Sequence, residues 1–204
     1  MPSNTGSFLI TGCGRSGTKF LAHMLNRSST WTVLHEPDGG KYVEMMENGG
    51  IIPEAVKERF RRPFYGEVNS RLRWIASSLQ VAKLGVILRN PKDIWLSIAN
   101  RRNPHKWHES CQRLRKSHKI VLELASREEV YTISFNSMTT NPLYLRQIAN
   151  FFGILDVVYK QEDGRKKINP SREYRYNSLD RFSNAIRDTV SEMTEEFNNY
   201  DIST

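Results

Sequence analysis

The stretch that decides the fold reads Ile10-Thr11-Gly12-Cys13-Gly14-Arg15-Ser16-Gly17-Thr18-Lys19-Phe20. It follows an apolar run at 7–11 and leads into a helix-like stretch at 20–26. This order predicts a strand, a glycine-rich turn and a helix N-terminus, where successive backbone N–H groups and the helix dipole attract anions. A turn that merely joins strand to helix is the alternative. The crowding of three glycines, an arginine and two hydroxyls favours a phosphate or sulfate ligand.

The loop comes close to the nucleotide-binding consensus G-x-x-x-x-G-K-[ST], since Gly12 and Gly17 have the required spacing. The next two residues are Thr18 and Lys19, so the lysine comes one position late, about 100° further round the helix. Arg15 inside the loop is permanently charged and suited to bidentate contact with an oxyanion.

Short apolar runs alternate with helical patterns along the chain, which predicts an α/β fold. Strands are expected at 7–11, 32–35, 65–68, 84–89 and 130–135. Helices are expected at 18–26, 52–62, 71–81, 91–101, 105–126, 142–152 and 178–197, with a polar, basic loop at 159–176. The pattern predicts three α/β/α layers around a central, mostly parallel sheet of about five strands, within a single domain at 1–204.

Composition narrows the function classes. The chain has 204 residues and is 38% hydrophobic, and no run of it is apolar enough to span a membrane. The start at 1–6 is polar and unlike a signal peptide, so a cytoplasmic location is expected. Cys13 and Cys111 lack metal-ligand spacing, so neither a metal site nor a disulfide framework is predicted. The net charge of +8 indicates an anionic partner.

A second anion-binding pattern follows the fourth predicted strand. Arg89 ends that strand, and Ser97 lies on the proline-started helix about a turn and a half after Pro91. The guanidinium and the hydroxyl can converge on a second phosphate. In the alternative interpretation, Arg89 pairs with Asp93 and Ser97 packs against the sheet.

Taken together, the two patterns resemble the P-loop-like sulfotransferases that use 3′-phosphoadenosine 5′-phosphosulfate (PAPS). In that family [KR]-S-G-T-T holds the 5′-phosphosulfate. A strand-ending Arg and a Ser eight residues later hold the 3′-phosphate, and the spacing from Arg89 to Ser97 is also eight. The resemblance continues through 130–138, Asn141-Pro142 and 148–153. It implies the family fold and a sulfotransferase activity.

The resemblance also implies a set of donor-binding residues and requires no metal. Phe135 matches the position where the family presents an aromatic ring near the adenine. Three features depart from the family pattern: Lys19 replaces the second Thr of S-G-T-T, Asn136-Ser137 replace an acidic pair, and the C-terminal basic loop is matched only by 166–170. The implied binding residues for PAPS, and for its product adenosine 3′,5′-bisphosphate, are Gly14, Arg15, Ser16, Gly17, Thr18, Lys19, Arg89, Ser97, Phe135 and Lys167.

Transfer of a sulfuryl group needs positive charge at the leaving phosphate and a base at the acceptor hydroxyl. We expect Arg15, supported by Lys19, to supply the charge. Glu36 follows the second predicted strand and lies 21 residues after Arg15, comparable to the base of the protein-tyrosine branch of the family. We therefore expect Glu36 to be the base, with His35 and Glu67 as rivals on the acceptor side. Alternatively, Glu36 is a surface charge and Glu67 is a partner of Arg71 or Arg73.

These patterns predict transfer of a sulfuryl group from PAPS to a hydroxyl or amine, in-line, on a small-molecule, glycan or peptide acceptor. An ATP-dependent kinase or NTPase is the second hypothesis because of the Gly12 to Gly17 spacing. Against it, Arg89 ends the strand where a nucleotide hydrolase places a magnesium-binding Asp. A basic nucleic-acid-binding domain is the third hypothesis and rests only on the net charge and the basic helix at 105–126, so no nucleic acid is expected as a partner.

Overall fold

A five-stranded β-sheet forms the centre of the computed structural model, which describes residues 6–159 and 176–200. In space the strands run in the order β2-β3-β1-β4-β5, and every neighbouring pair is parallel. All five strands therefore end at one edge of the sheet. They are β1 (Phe8–Gly12), β2 (Thr32–Leu34), β3 (Tyr65–Val68), β4 (Lys83–Leu88) and β5 (Val130–Ser134).

Helices connect the strands and cover both faces of the sheet. Three single-turn or two-turn 3₁₀ segments also occur, at Ser70–Trp74, Ala76–Ser78 and Pro104–Lys106. The α-helices are α1 (Thr18–Leu25), α2 (Val43–Gly49), α3 (Glu54–Phe60), α4 (Pro91–Ala99), α5 (Trp107–Ala125), α6 (Phe135–Thr140), α7 (Pro142–Phe152) and α8 (Asn184–Asn199).

Two apolar cores lie on opposite faces of the sheet because successive side chains of a strand point to opposite sides. Leu9 and Val86 pack on one face with apolar side chains of α2, α3, α4, α5 and α8. Phe8, Ile10 and Ile87 pack on the other face with α1, α6 and α7. The predicted three-layer α/β/α architecture with a parallel five-stranded sheet is therefore confirmed.

The connections after β1 and β4 leave the sheet in opposite directions. Leu21 of α1 belongs to one core, whereas Ile94 and Trp95 of α4 belong to the other. Since β1 and β4 are neighbours, their two outgoing loops diverge at the carboxyl edge and open a crevice between them. Both predicted anion-binding segments, the glycine loop and the stretch that begins at Arg89, lie at this crevice.

The predicted helix at 71–81 is wrong. The chain forms two separate 3₁₀ segments there, interrupted at Ile75, whose backbone leaves helical geometry with φ −123° and ψ 5°. Asn69 starts the first segment by accepting a hydrogen bond from the Arg71 N–H. Arg73 then donates from its side chain to the Ser70 carbonyl, the group that a longer α-helix would use in its first turn.

Other elements are shifted or have no counterpart in the sequence prediction. The short helices α2 and α6 were not expected, because seven and six residues carry too little periodicity to signal a helix. The last helix begins at Asn184 rather than at 178, after turns that place Phe182 against Trp95 and Trp107. The predicted loop at 159–176 falls almost wholly outside the described residues. Within the described ranges, no helix is long and apolar enough to cross a bilayer.

Asp156 joins the turn after α7 to the segment that leads into β2. Its two oxygens accept hydrogen bonds from the hydroxyls of Ser28 and Ser29, each at 2.7 Å, and from the backbone N–H of Ser29 at 2.7 Å and Thr30 at 3.2 Å. These bonds hold the pKa of the Asp156 carboxyl well below its usual value. The side chain is largely exposed, so solvent screening reduces its contribution.

We predict that Asp156→Asn lowers the free energy of unfolding by about 1 kcal/mol at pH 7, since a charged acceptor is lost. Because the folded-state pKa is depressed, this stabilisation is present above the unfolded pKa of about 4 and is lost as pH falls toward the folded pKa. Urea unfolding between pH 3 and pH 7 measures it, with the exposed Asp188→Asn as the control. A difference that stays constant across this range would contradict the assignment.

Candidate functional site

The glycine loop between β1 and α1 is shaped by close contacts at two of its glycines. A Cβ atom at Gly12 would lie 2.6 Å from the Ser16 hydroxyl and 2.9 Å from the Ile87 carbonyl oxygen. At Gly17, the residue that precedes α1, φ is +93° and a Cβ would lie 2.8 Å from the Phe135 ring. Any larger side chain at either position would displace the loop.

Some polar groups in this loop have no partner among the described residues. The N-terminus of α1 has no side-chain cap, so its first N–H groups are available to a ligand. The hydroxyl of Ser16 is fully buried and has no hydrogen-bond partner within the described part of the chain. Uncapped N–H groups and an orphaned hydroxyl around a helix N-terminus fit an anion such as a phosphate.

The two predicted anion-binding segments meet at the crevice between β1 and β4. Arg15 donates from Nε to the Ser97 hydroxyl at 3.1 Å, and Arg89 donates from Nη1 to the Arg15 carbonyl at 2.7 Å. The Arg89 guanidinium also lies over the Phe135 ring, 4.1 Å from its centroid, and that ring faces Gly17. Residues that lie up to 120 positions apart in the sequence thus form one cluster, which contains two positive charges. Lys167 falls outside the described residues.

His35 follows β2 and reaches the glycine loop. Its Nε2 lies 3.3 Å from the Thr18 hydroxyl. Burial lowers the pKa of His35; the neighbouring Glu36 raises it, and the cations Lys19 and Arg71 lower it further. The net pKa lies below its usual value, so the imidazole is neutral at pH 7.

Glu36 lies next to His35 but is held by two hydrogen bonds. Ser70 donates to Oε1 at 2.5 Å, and Arg71 donates from Nε to Oε2 at 2.8 Å. Burial raises the pKa of Glu36, but these hydrogen bonds and the Arg71 charge outweigh it and leave the pKa below its usual value. Glu36 is therefore an ion-paired carboxylate that resists protonation.

Glu67 is completely buried on β3 and occupied by donors. Its Oε1 accepts from Arg59 and from the Tyr65 hydroxyl, both at 2.7 Å, and its Oε2 accepts from Asn69 at 2.9 Å. Arg59 also binds both oxygens of Asp38, at 3.0 and 2.5 Å. Neither Arg71 nor Arg73 is the ionic partner of Glu67, contrary to the alternative interpretation. The network ties the loop after β2 to the rigid centre of the sheet.

Sequence reasoning missed several residues that border the site. Ser70, Arg71 and Arg73 belong to the turn after β3, which was predicted as a helix, and Arg59 comes from α3. The one local signal was Asn69, a residue type that starts turns and helices at the end of a strand. No group of His, Cys, Asp or Glu side chains among the described residues is arranged to hold a metal ion.

Comparison with known proteins finds similarity at the level of structure. No family model and no curated protein matches the chain. A sulfotransferase from Alicyclobacillus acidocaldarius aligns with a TM-score of 0.55 and 17% identity, over 93% of this chain and 91% of the other. The sulfotransferase domain of the Synechococcus PCC 7002 olefin synthase aligns with a TM-score of 0.56 and 18% identity, over 96% and 94%.

A third similar structure is mouse sulfotransferase SULT7A1 complexed with PAP. It aligns with a TM-score of 0.57 and 19% identity, over 98% of this chain and 87% of the other. These identities are low, whereas the coverage is nearly complete in both directions. The resemblance suggested by the two motifs is thereby confirmed for the fold: this chain has the sulfotransferase fold.

Proposed function

We propose that this protein transfers a sulfuryl group from PAPS to a hydroxyl or amine of an acceptor. The proposal rests on one observation: two predicted anion-binding segments converge at one crevice. They are the glycine loop and the pair formed by Arg89 and Ser97. A ligand with phosphates at two places suits this arrangement better than a nucleoside triphosphate, whose phosphates form one chain. The orphaned Ser16 hydroxyl and the uncapped N-terminus of α1 also suit such a ligand.

We assign the donor-binding roles as follows. The loop residues Gly14, Ser16, Gly17, Thr18 and Lys19 bind the 5′-phosphosulfate through backbone N–H groups, hydroxyls and the lysine charge. Arg89 and Ser97 bind the 3′-phosphate, and Phe135 stacks on the adenine. Lys167 remains a prediction for the same phosphate.

Positive charge near the leaving phosphate is the main catalytic device in this proposal. The bound donor supplies an activated sulfuryl group, and its phosphate gains negative charge as that group is transferred. Arg15 and Lys19 are exposed cations of the loop and stabilise this charge. That the reaction needs no metal, and that the protein is cytoplasmic, both remain predictions.

The contacts favour His35 over Glu36 as the base that takes the acceptor proton. A neutral imidazole next to the Thr18 hydroxyl can accept a proton at pH 7. Glu36, the residue first expected from the sequence, has a lowered pKa and both oxygens occupied, so it is a weak base. Its negative charge instead supports a protonated His35. Glu67 is sealed from substrate by burial.

Calorimetric titration separates the three functional hypotheses. We expect adenosine 3′,5′-bisphosphate to bind more tightly than ATP with magnesium. Tighter binding of ATP with magnesium would contradict the sulfotransferase proposal and favour a kinase or NTPase. Binding of neither nucleotide, together with tight and salt-sensitive binding of DNA, would favour the nucleic-acid hypothesis.

We predict that Arg89→Ala weakens binding of adenosine 3′,5′-bisphosphate about tenfold to a hundredfold, because a charge-assisted contact with the 3′-phosphate is lost. Binding of adenosine 5′-phosphate should change little. The exposed Arg101→Ala, just beyond α4, serves as a matched loss of positive charge. An equal loss of affinity for both nucleotides would mean that Arg89 supports the loop rather than binding the 3′-phosphate.

We predict that His35→Asn abolishes the acid limb of the pH–rate profile, measured with a labelled donor and an acceptor found by screening. In the wild type the rate rises as His35 loses its proton, with an apparent pKa below the usual 6.5. Glu36→Gln removes a charge that raises the pKa of His35, so the acid limb should move to lower pH while turnover persists. Loss of turnover in Glu36→Gln with full activity in His35→Asn would make Glu36 the base.

A further inference from the structure

Three arginines crowd the carboxyl edge of the sheet beside the candidate base. Arg71 and Arg73 lie on the 3₁₀ turn after β3, and Arg113 faces them from α5. Arg71 pairs with Glu36 at 2.8 Å, and Arg113 pairs with Glu47 of α2. Of these three arginines, Arg73 is the one without a carboxylate at ion-pair distance in the described part of the chain.

The positive charge of Arg73 is unusual because it is buried, with only 7% of the residue exposed. Its Nε donates to the Ser117 hydroxyl at 2.9 Å, its Nη1 donates to the Ser70 carbonyl, and its guanidinium lies 4.3 Å from the centroid of the Trp74 ring. Nη2 makes no hydrogen bond with any described residue. All these partners are neutral, and Glu47 and Glu36 raise the pKa of Arg73 only through space. Burial of a charge without a directly bonded opposite charge is costly.

The neighbouring thiol cannot balance Arg73. Burial raises the pKa of Cys13 to about 11, so it carries no charge at neutral pH. Burial likewise lowers the pKa of Arg73 to about 10, which still leaves the guanidinium protonated at pH 7. A bound anion would supply the negative charge that no direct partner of Arg73 supplies.

Arg71 offers the accessible half of such a site. Its side chain is 37% exposed, and only Nε is engaged, by Glu36. The two Nη groups donate to no described residue, and Nη1 lies against Gly40. Together they present the planar fork that carboxylates, sulfates and phosphates accept. Its charge already lowers the pKa of His35, so Arg71 lies close to the proposed base.

We propose that Arg71 and Arg73 form an anion subsite on the acceptor side, and that the acceptor carries a carboxylate or another oxyanion beside the hydroxyl that is modified. This inference rests on the proposed sulfotransferase function, since it names the substrate class for that site. Arg71 binds the anion directly, and Arg73, which has no ion pair with a described carboxylate, adds a second positive charge behind it. The net charge of +8 draws such acceptors to the protein.

A matched pair of phenols tests the subsite. The protein is saturated with adenosine 3′,5′-bisphosphate and titrated calorimetrically with 4-hydroxybenzoate and with 4-hydroxybenzamide, its neutral analogue, at constant ionic strength. We expect the carboxylate to bind at least about tenfold more tightly, with the preference lost in Arg71→Met and partly kept in Arg71→Lys. Arg146→Met, a loss of charge on α7 across the sheet, should change nothing.

Arg73 is tested by Arg73→Lys, because this change keeps the buried charge while replacing the planar guanidinium with an ammonium group. It should reduce the preference less than Arg71→Met does. Equal binding of the two phenols, or a preference that survives in Arg71→Met, overturns the inference. So does a selective loss of affinity for PAPS relative to adenosine 3′,5′-bisphosphate in Arg71→Met, because the arginines would then serve the donor.

Failure of the two proposals can be told apart. A protein that binds adenosine 3′,5′-bisphosphate without discriminating between the phenols retains the proposed function and loses the anionic acceptor. A protein that does not bind the nucleotide loses the proposed function. The same phenol titration on the protein without nucleotide then decides whether Arg71 still binds an anion.

Discussion

The parallel pairing of β1 with β4 is the constraint on which the site depends. The two strands are in register from Phe8 opposite Lys83 to Gly12 opposite Ile87, so they end side by side. Their outgoing helices then pack on opposite faces, which keeps the crevice between them open. Arg15 reaches Ser97 across this crevice although 82 residues separate them in the sequence.

Two of the residues at the site have a backbone conformation that non-glycine residues seldom adopt. Arg15 has φ of 74° and Glu36 has φ of 45°, both in the left-handed region. Each such residue costs about 1–3 kcal/mol and persists only where surrounding contacts hold it. Arg89 binds the carbonyl of Arg15, while Ser70 and Arg71 bind the carboxylate of Glu36. The conformation of each residue is thus secured by side chains from a different strand end.

Charge is distributed unevenly over the site. On the β2 and β3 side, Glu67, Arg59 and Asp38 form a closed network in which every carboxylate has a cationic partner. This network anchors the loop that carries His35, and its two carboxylates share the single guanidinium of Arg59. On the β1 and β4 side, Arg89 bonds the carbonyl of Arg15, which brings two positive charges to neighbouring strand ends.

Local sequence signals were sufficient for the elements whose residues carry their own pattern. Apolar runs predicted all five strands because a buried parallel strand must be apolar on both faces. The glycines predicted the loop because no other residue tolerates the contacts at Gly12 and Gly17. The helix predicted at 71–81 was wrong. The spacing of its apolar residues suits a helix, but the hydrogen bonds of Asn69 and of the Arg73 side chain favour a 3₁₀ turn instead.

By itself, the sequence determined the layered architecture and the glycine loop, and it predicted the anion-binding roles of that loop and of Arg89 and Ser97, since all these depend on short-range patterns. Only the tertiary structure decided which charges meet. It paired Glu67 with Arg59 rather than Arg71, paired Glu36 with Arg71, and buried Arg73 without an ion pair to any described carboxylate. Such pairings depend on which strand ends and helices adjoin in space, and no spacing along the chain encodes that.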